Sequence, residues 1–319
     1  MTHEHRPDAG PGALWRALAV PALLLVIEGV GGILGGSLAL LSDAGHQATD
    51  ILAAGLAIVA ERKGRTPPSA TRSYGYHRAG ILVAAVNALV LLGVAGLIVW
   101  GAAHRLGHPQ TVSPDVMGMA ALLGVGLDAW VVMGLWRHGD DLNRRAVLWH
   151  VLADAVSALG ILAGAIIIAL TGWTILDPIL SLAIAALITG GAVSILTRAV
   201  RVLMEAVPAG VLPDDVREEI LSEPRVKAVH DLHIWALAPG RILLTCHLYV
   251  EEMQVGEGQE LVERLGRNLR QRHGIEHATM QLESNDECHV VEPCHAADGS
   301  PAEGAPRTRR KGWQGGTGL

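Results

Sequence analysis

The sequence is short of charge. Only 18% of its 319 residues are Asp, Glu, Lys or Arg, against about 25% in soluble domains, while half of the chain is hydrophobic and mean hydropathy is +0.35. There is no Phe at all, and aromatic residues make up 3%. An ordinary soluble globular enzyme is excluded by this balance. There is no basic excess either: the net charge is −6 and the pI about 6.2, so nothing marks a nucleic-acid partner. Cysteine is scarce, with Cys246, Cys288 and Cys294 all late in the chain. Three thiols cannot build a disulfide framework, and a reducing compartment is implied. The helical His-Glu-x-x-His pattern of zinc hydrolases is also missing, which argues against a membrane metalloenzyme.

What is present is long and apolar. Ala79 to Ala103 and Pro178 to Thr197 carry no charged side chain, and each is long enough to cross a hydrocarbon core roughly 30 Å thick. Six spans are expected, at 14–35, 38–60, 79–103, 115–136, 146–170 and 176–197. The basic start and apolar run of the first 40 residues flow into further hydrophobic segments without a cleavage site, so this run is read as the first span.

Lys and Arg distribution sets the orientation. Arg62, Lys63, Arg65, Arg72 and Arg78 lie between spans two and three, Arg137, Arg144 and Arg145 between four and five, and Arg198 and Arg201 after six. The opposite side holds only Arg105. Both termini are therefore expected in the cytoplasm of a cell whose plasma membrane holds the chain.

Composition changes at Pro208. Residues 208–290 hold 15 acidic against 8 basic residues and no apolar run of spanning length, so a soluble domain of that extent is expected. Helices are read at 213–222 and 259–272, and strands at 226–237, 242–250 and 277–282, with a Pro239-Gly240 turn between the first two strands. The order α-β-β-α-β suggests a small open sheet with helices on one side. Four segments result: an N-terminal tail 1–13, a six-span domain 14–207, the cytoplasmic domain 208–290, and a disordered tail 291–319.

Polar groups inside spans are costly and ask for a reason. Span two carries His46 and Asp50, and span five His150 and Asp154, both as His-x-x-x-Asp. Residues four apart share a helical face, so each span presents one imidazole and one carboxylate together. At about 1.5 Å per residue, Asp50 and Asp154 lie roughly 16 and 14 Å from the cytoplasmic ends, and the two motifs can meet. Two nitrogens and two carboxylates suit a tetrahedral divalent cation, above all Zn2+. Asp43 can extend the same face. Glu28, Asn87 and Asp128 are further polar residues within spans, and Asp177 stands where it would cap the sixth. Arg78 could pair with Glu205.

These stretches resemble the cation diffusion facilitators, in particular the zinc-exporting branch. The similarity runs from about Leu14 to Leu282 and rests on SLALLSDAGHQATD (37–50), YGYHRA (74–79), WHVLAD (149–154), DPILS (177–181) and HDLHIW (230–235). It implies a homodimer in the lipid bilayer that is not an enzyme, exchanges cytoplasmic Zn2+ for protons, and carries a ferredoxin-like cytoplasmic domain. His46, Asp50, His150 and Asp154 would be its transport site. The same resemblance points to His230 and His247 as zinc ligands in the cytoplasmic domain, with Glu283 as the acidic third. Cys288 and Cys294 resemble a C-terminal cysteine pair, spaced more widely than the C-x-x-C of a strong zinc motif. His77 and His277 are further candidates. The chain departs from the family at Gly80, where Glu is frequent, and in the short connection with its single His138.

The ligand chemistry supplies a mechanism of its own. Metal needs neutral imidazole and ionised carboxylate, so protons compete for the same atoms. Export of Cd2+, Co2+, Ni2+ or Mn2+ is open on the same ligands, Mn2+ being disfavoured by imidazole. A metal-sensing membrane protein that does not transport is the remaining alternative.

Overall fold

The computed structural model describes residues 11–136 and 142–284, and the chain divides at Ala206 into two compact units. The first holds six long helices: α1 (Pro11–Gly35), α2 (Leu38–Gly64), α3 (Ala79–Gly107), α4 (Pro114–Trp136), α5 (Leu142–Thr171) and α6 (Leu176–Leu203). Among the described residues four stretches are long and apolar enough to cross a membrane: Ala79–Gly107, Pro114–Gly134, Val147–Thr171 and Leu176–Leu203. α1 is apolar as well, over Ala19–Gly35, and α2 carries polar groups along its length. The helices run past the expected span ends by up to six residues, because apolar length measures the hydrocarbon and not the helix.

α2 is the hub of this unit, touching α1, α3, α4, α5 and α6, while α3 packs most extensively on α6 and α4 on α5. Small residues allow the closest approaches. A Cβ on Gly31 of α1 would come within 2.7 Å of the Ala120 Cβ on α4, the backbone proximity by which membrane helices gain contact without a hydrophobic drive.

The start of α2 is held from another helix. Ser37 is its N-cap, and its hydroxyl accepts from Leu40 N at 3.2 Å. Ser37 Oγ donates in turn to Asp177 Oδ1 at 2.6 Å, and the same carboxylate accepts from Leu38 N at 2.8 Å and Ala39 N at 3.2 Å. Asp177 is fully buried and also meets Arg105 Nη1 at 3.3 Å, while that guanidinium donates to Gly36 O. The expectation that Asp177 caps its own helix is therefore corrected: it caps α2. The orphan N–H groups and positive end of α2 attract the carboxylate more than solvent-facing groups of α6 can. The preceding turn requires Gly36, with φ of +65° and space that a Cβ would fill 2.8 Å from Thr111 O. At the other end of the helices, Arg78 donates to Glu205 at 2.8 Å, as the sequence suggested.

The second unit contains α7 (Pro213–Leu221), β1 (Val226–Ala238), β2 (Arg241–Val250), α8 (Val255–His273) and β3 (Ile275–Glu283). The sheet order is β1-β2-β3, with β2 and β3 parallel. α8 has a Gln254/Glu257 capping box and ends on left-handed Gly274. Leu261, Leu265 and Leu269, spaced at four, join Val216 and Ile220 of α7 and Leu244, Cys246 and Leu248 of β2 in one buried core. Burial holds the Cys246 thiol in its neutral form, with its pKa pushed up to about 12.

Candidate functional site

His46 and Asp50 share a turn of α2, and His150 and Asp154 a turn of α5, and these helices are neighbours. The two pairs converge. His150 Nε2 lies 3.0 Å from Asp50 Oδ2 and 3.7 Å from Asp154 Oδ2, while His46 Nε2 lies 3.6 Å from Asp50 Oδ2 and 3.8 Å from Asp154 Oδ1. The imidazoles meet edge to face at 6.0 Å between ring centres. One ligand atom each from His46, His150 and Asp154 fall within 4.8 Å of one another, and the Asp50 contacts close the set from the remaining side. The carboxylates are largely sheltered, whereas His150 is half exposed, so the cluster opens on the α5 side. Two imidazoles and two carboxylates at this spacing can offer a divalent cation a four-ligand N2O2 shell without rebuilding the backbone.

A second acidic layer lies behind the four. Glu28, Asp43 and Asp128 are buried, and Asp43 is hydrogen-bonded to Glu28 and Ser157. Gly124 of α4 lets its backbone approach Glu28, whose Oε1 would lie 3.3 Å from a Cβ there. Asn87 is buried too, with its Oδ1 unpaired among the described residues. Asp43 is thus close to the cluster but joins neither of the ligand groups found among the described residues.

The other group is in the sheet unit. Strand alternation sends Cys246 and Leu248 into the core and His247 to the opposite face. There His247 Nδ1 and His230 Nε2 each lie 2.9 Å from an oxygen of Glu283, and the two rings stand 5.2 Å apart. Both Nδ1 atoms are buried without a hydrogen bond. For His247 the Glu283 oxygen is near enough for an ion pair but off the line that an N–H bond needs. The orphaned His247 Nδ1 facing a carboxylate fits a metal ligand better than a hydrogen-bonded core histidine. His230, His247 and Glu283 can therefore hold a metal.

Two residues outside the expected ligand set, Gln281 and Asp231, support this group. Gln281 Nε2 donates to Glu283 Oε1 at 2.9 Å, fixing the carboxylate. Asp231 adopts φ of +52°, a left-handed conformation that Asp tolerates better than most residues. Its carboxylate turns to His233 Nε2 at 3.0 Å and towards His247 Nε2 at 3.8 Å. Position next to His230 was the only signal available for it. His77 and His277 join neither ligand group, and Cys288 and Cys294 lie outside the described residues.

Residues 14–204 match the family model described as cation efflux transmembrane domain, and residues 208–285 the one described as cation efflux protein, cytoplasmic domain. The metal cation efflux system protein CzcD of Cupriavidus metallidurans is 36% identical, over 93% of this chain and 92% of its own. The zinc transporter ZitB of Escherichia coli is 34% identical, over 93% of each chain. A cadmium, cobalt and zinc/H(+)-K(+) antiporter of Bacillus velezensis is 29% identical, over 88% of this chain and 91% of its own. Matched through both its helical and its sheet unit, the chain belongs to the cation efflux family, the cation diffusion facilitators, whose members are multi-pass membrane exporters of metal cations.

Proposed function

We propose that the protein exports Zn2+ from the cytoplasm in exchange for protons, with His46, Asp50, His150 and Asp154 as the transport site. The observation that carries this reading is the convergence of two His-x-x-x-Asp turns from separate helices. Zn2+ is the substrate here. The two carboxylates of the four-ligand set balance its charge inside a span, where an unpaired carboxylate or imidazolium is costly. Protons and Zn2+ contend for the same nitrogen and oxygen atoms, so loading from a proton-poor side and release on a proton-rich side follow if the helices rock about the site. The relatives named for zinc and for zinc/H(+) antiport support the cargo and the counter-ion.

The same reading includes α1 and α2 as membrane spans, making six, with both termini in the cytoplasm. α2 is less apolar than the other spans because it carries the site. The 208–290 segment acts as a ferredoxin-like cytoplasmic domain of a homodimer, where His230, His247 and Glu283 take a regulatory Zn2+. The test is Zn2+ uptake into inverted membrane vesicles. Uptake driven by an imposed proton gradient and abolished in Asp154→Ala is the expected result. Uptake indifferent to that gradient overturns the antiport, and uptake that survives Asp154→Ala overturns the site.

A further inference from the structure

The C-terminal end of α3 carries a third group of potential ligands. His104 and His108 are four apart, one turn of helix, so their side chains lie on one face. The turn is intact to its end: His108 N donates to His104 O at 3.0 Å although His108 is already the C-cap. The two imidazoles are near-parallel, 25° between planes and 5.0 Å between centres, and Trp100, one turn earlier, stacks on His104 at 6.3 Å with 17° between planes. All three are exposed. Among the described residues no hydrogen bond or ion pair engages either imidazole side chain, so their ring nitrogens are free for a ligand.

Two histidines one turn apart are the helical arrangement that grips a metal from one face. Nitrogens bound at 2.0–2.1 Å to one tetrahedral ion stand about 3.4 Å apart, which small rotations of rings already 5.0 Å apart achieve. The nearest cation does not oppose this. Arg105, between them in sequence, turns its guanidinium to Gly36 O and the buried Asp177, so its charge is matched elsewhere. Trp100 holds the His104 ring on one side and leaves the other to His108.

We propose that His104 and His108 form a divalent transition-metal site, separate from the four-residue cluster and from the sheet unit. Its donors are imidazole alone, completed by water, and its preference follows the order in which Cu2+ binds nitrogen more tightly than Ni2+ or Zn2+. In the topology proposed above this end of α3 faces the side of release, and the site then takes up metal after export. The binding itself does not depend on that topology.

Trp100 supplies a local reporter, since Cu2+ on His104 would lie against the stacked indole and quench it. The probe is Cu2+ added to the full-length protein in detergent, with His46→Ala, His150→Ala and His247→Ala present in every sample so that the result is independent of the inner sites. A saturable quench is expected, lost in His104→Ala and also in His108→Ala, and missing its Trp100 share in Trp100→Leu. Both histidines are exposed, so their removal leaves the fold standing, which an unchanged circular dichroism spectrum verifies. A quench that persists after either imidazole is removed, or that is unaltered by Trp100→Leu, overturns the proposal.

Discussion

Asp50 makes the shortest contact among the four proposed transport ligands, and removing it tests the site sharply. Its Oδ2 lies 3.0 Å from His150 Nε2 and 3.6 Å from His46 Nε2, so it bridges α2 to α5 and restrains both imidazoles. A closed tetrahedral zinc site is worth about 10–16 kcal/mol, or about 3 kcal/mol for each of four ligands. That share corresponds to roughly a hundredfold in Kd. Asp50→Ala also releases two imidazoles from their carboxylate, so the loss is expected to be at least that large. Calorimetric titration of Zn2+ into the full-length protein, in a His230→Ala/His247→Ala background, isolates the helical site. Asp50→Asn keeps the shape and loses the charge, and its Kd is expected between those of parent and Asp50→Ala. Zn2+ affinity in Asp50→Ala within about threefold of the parent, with helicity retained, would refute the assignment.

Three further outcomes follow from the packing. Asp177→Ala removes the carboxylate that holds the start of α2 and leaves the partly buried Arg105 without its counter-charge, and it is expected to lower stability by about 3 kcal/mol in denaturant unfolding. Gly31→Ala places a methyl 2.7 Å from the Ala120 Cβ, which cannot swing aside, and is expected to lower the Tm of the purified protein, while Gly55→Ala, with open space around it, leaves the Tm unchanged. Cys246 has a folded pKa of about 12, above that of an unfolded thiol near 8.5. Its neutral form thus stabilises the folded state fully below pH 8.5, and that contribution is lost as pH rises from there to about 12. Thiolate absorbance should stay absent from Cys246 at pH 9 in a Cys288→Ser/Cys294→Ser variant and develop on adding urea.

Much of the site was legible in one dimension because helices impose a period. His46 with Asp50 and His150 with Asp154 fall four apart, and four residues return to the same face whatever the surroundings. The strands were equally open to reading: 226–237 and 242–250 became β1 and β2 with one residue added to each, at the end of β1 and the start of β2, since branched side chains and a Pro-Gly turn act locally. What was not legible depended on contacts between distant residues. Asp177 is 140 positions from Ser37, and only the packing of α6 against α2 directs its carboxylate to a foreign helix end. Asp231 likewise becomes a support for His247 only once β1 and β2 lie side by side.

The sequence by itself determined that this chain is built of apolar helices followed by an acidic α/β segment, and which four polar residues in the spans share a chemistry. These follow from composition and from helical and strand periods, which are properties of the local backbone. Tertiary structure alone decided that the two His-Asp turns face one another at ligand distance and that Asp43 falls outside that group. Each of those depends on where one helix stops, how closely another approaches and which rotamer the gap admits, and no local rule carries that information.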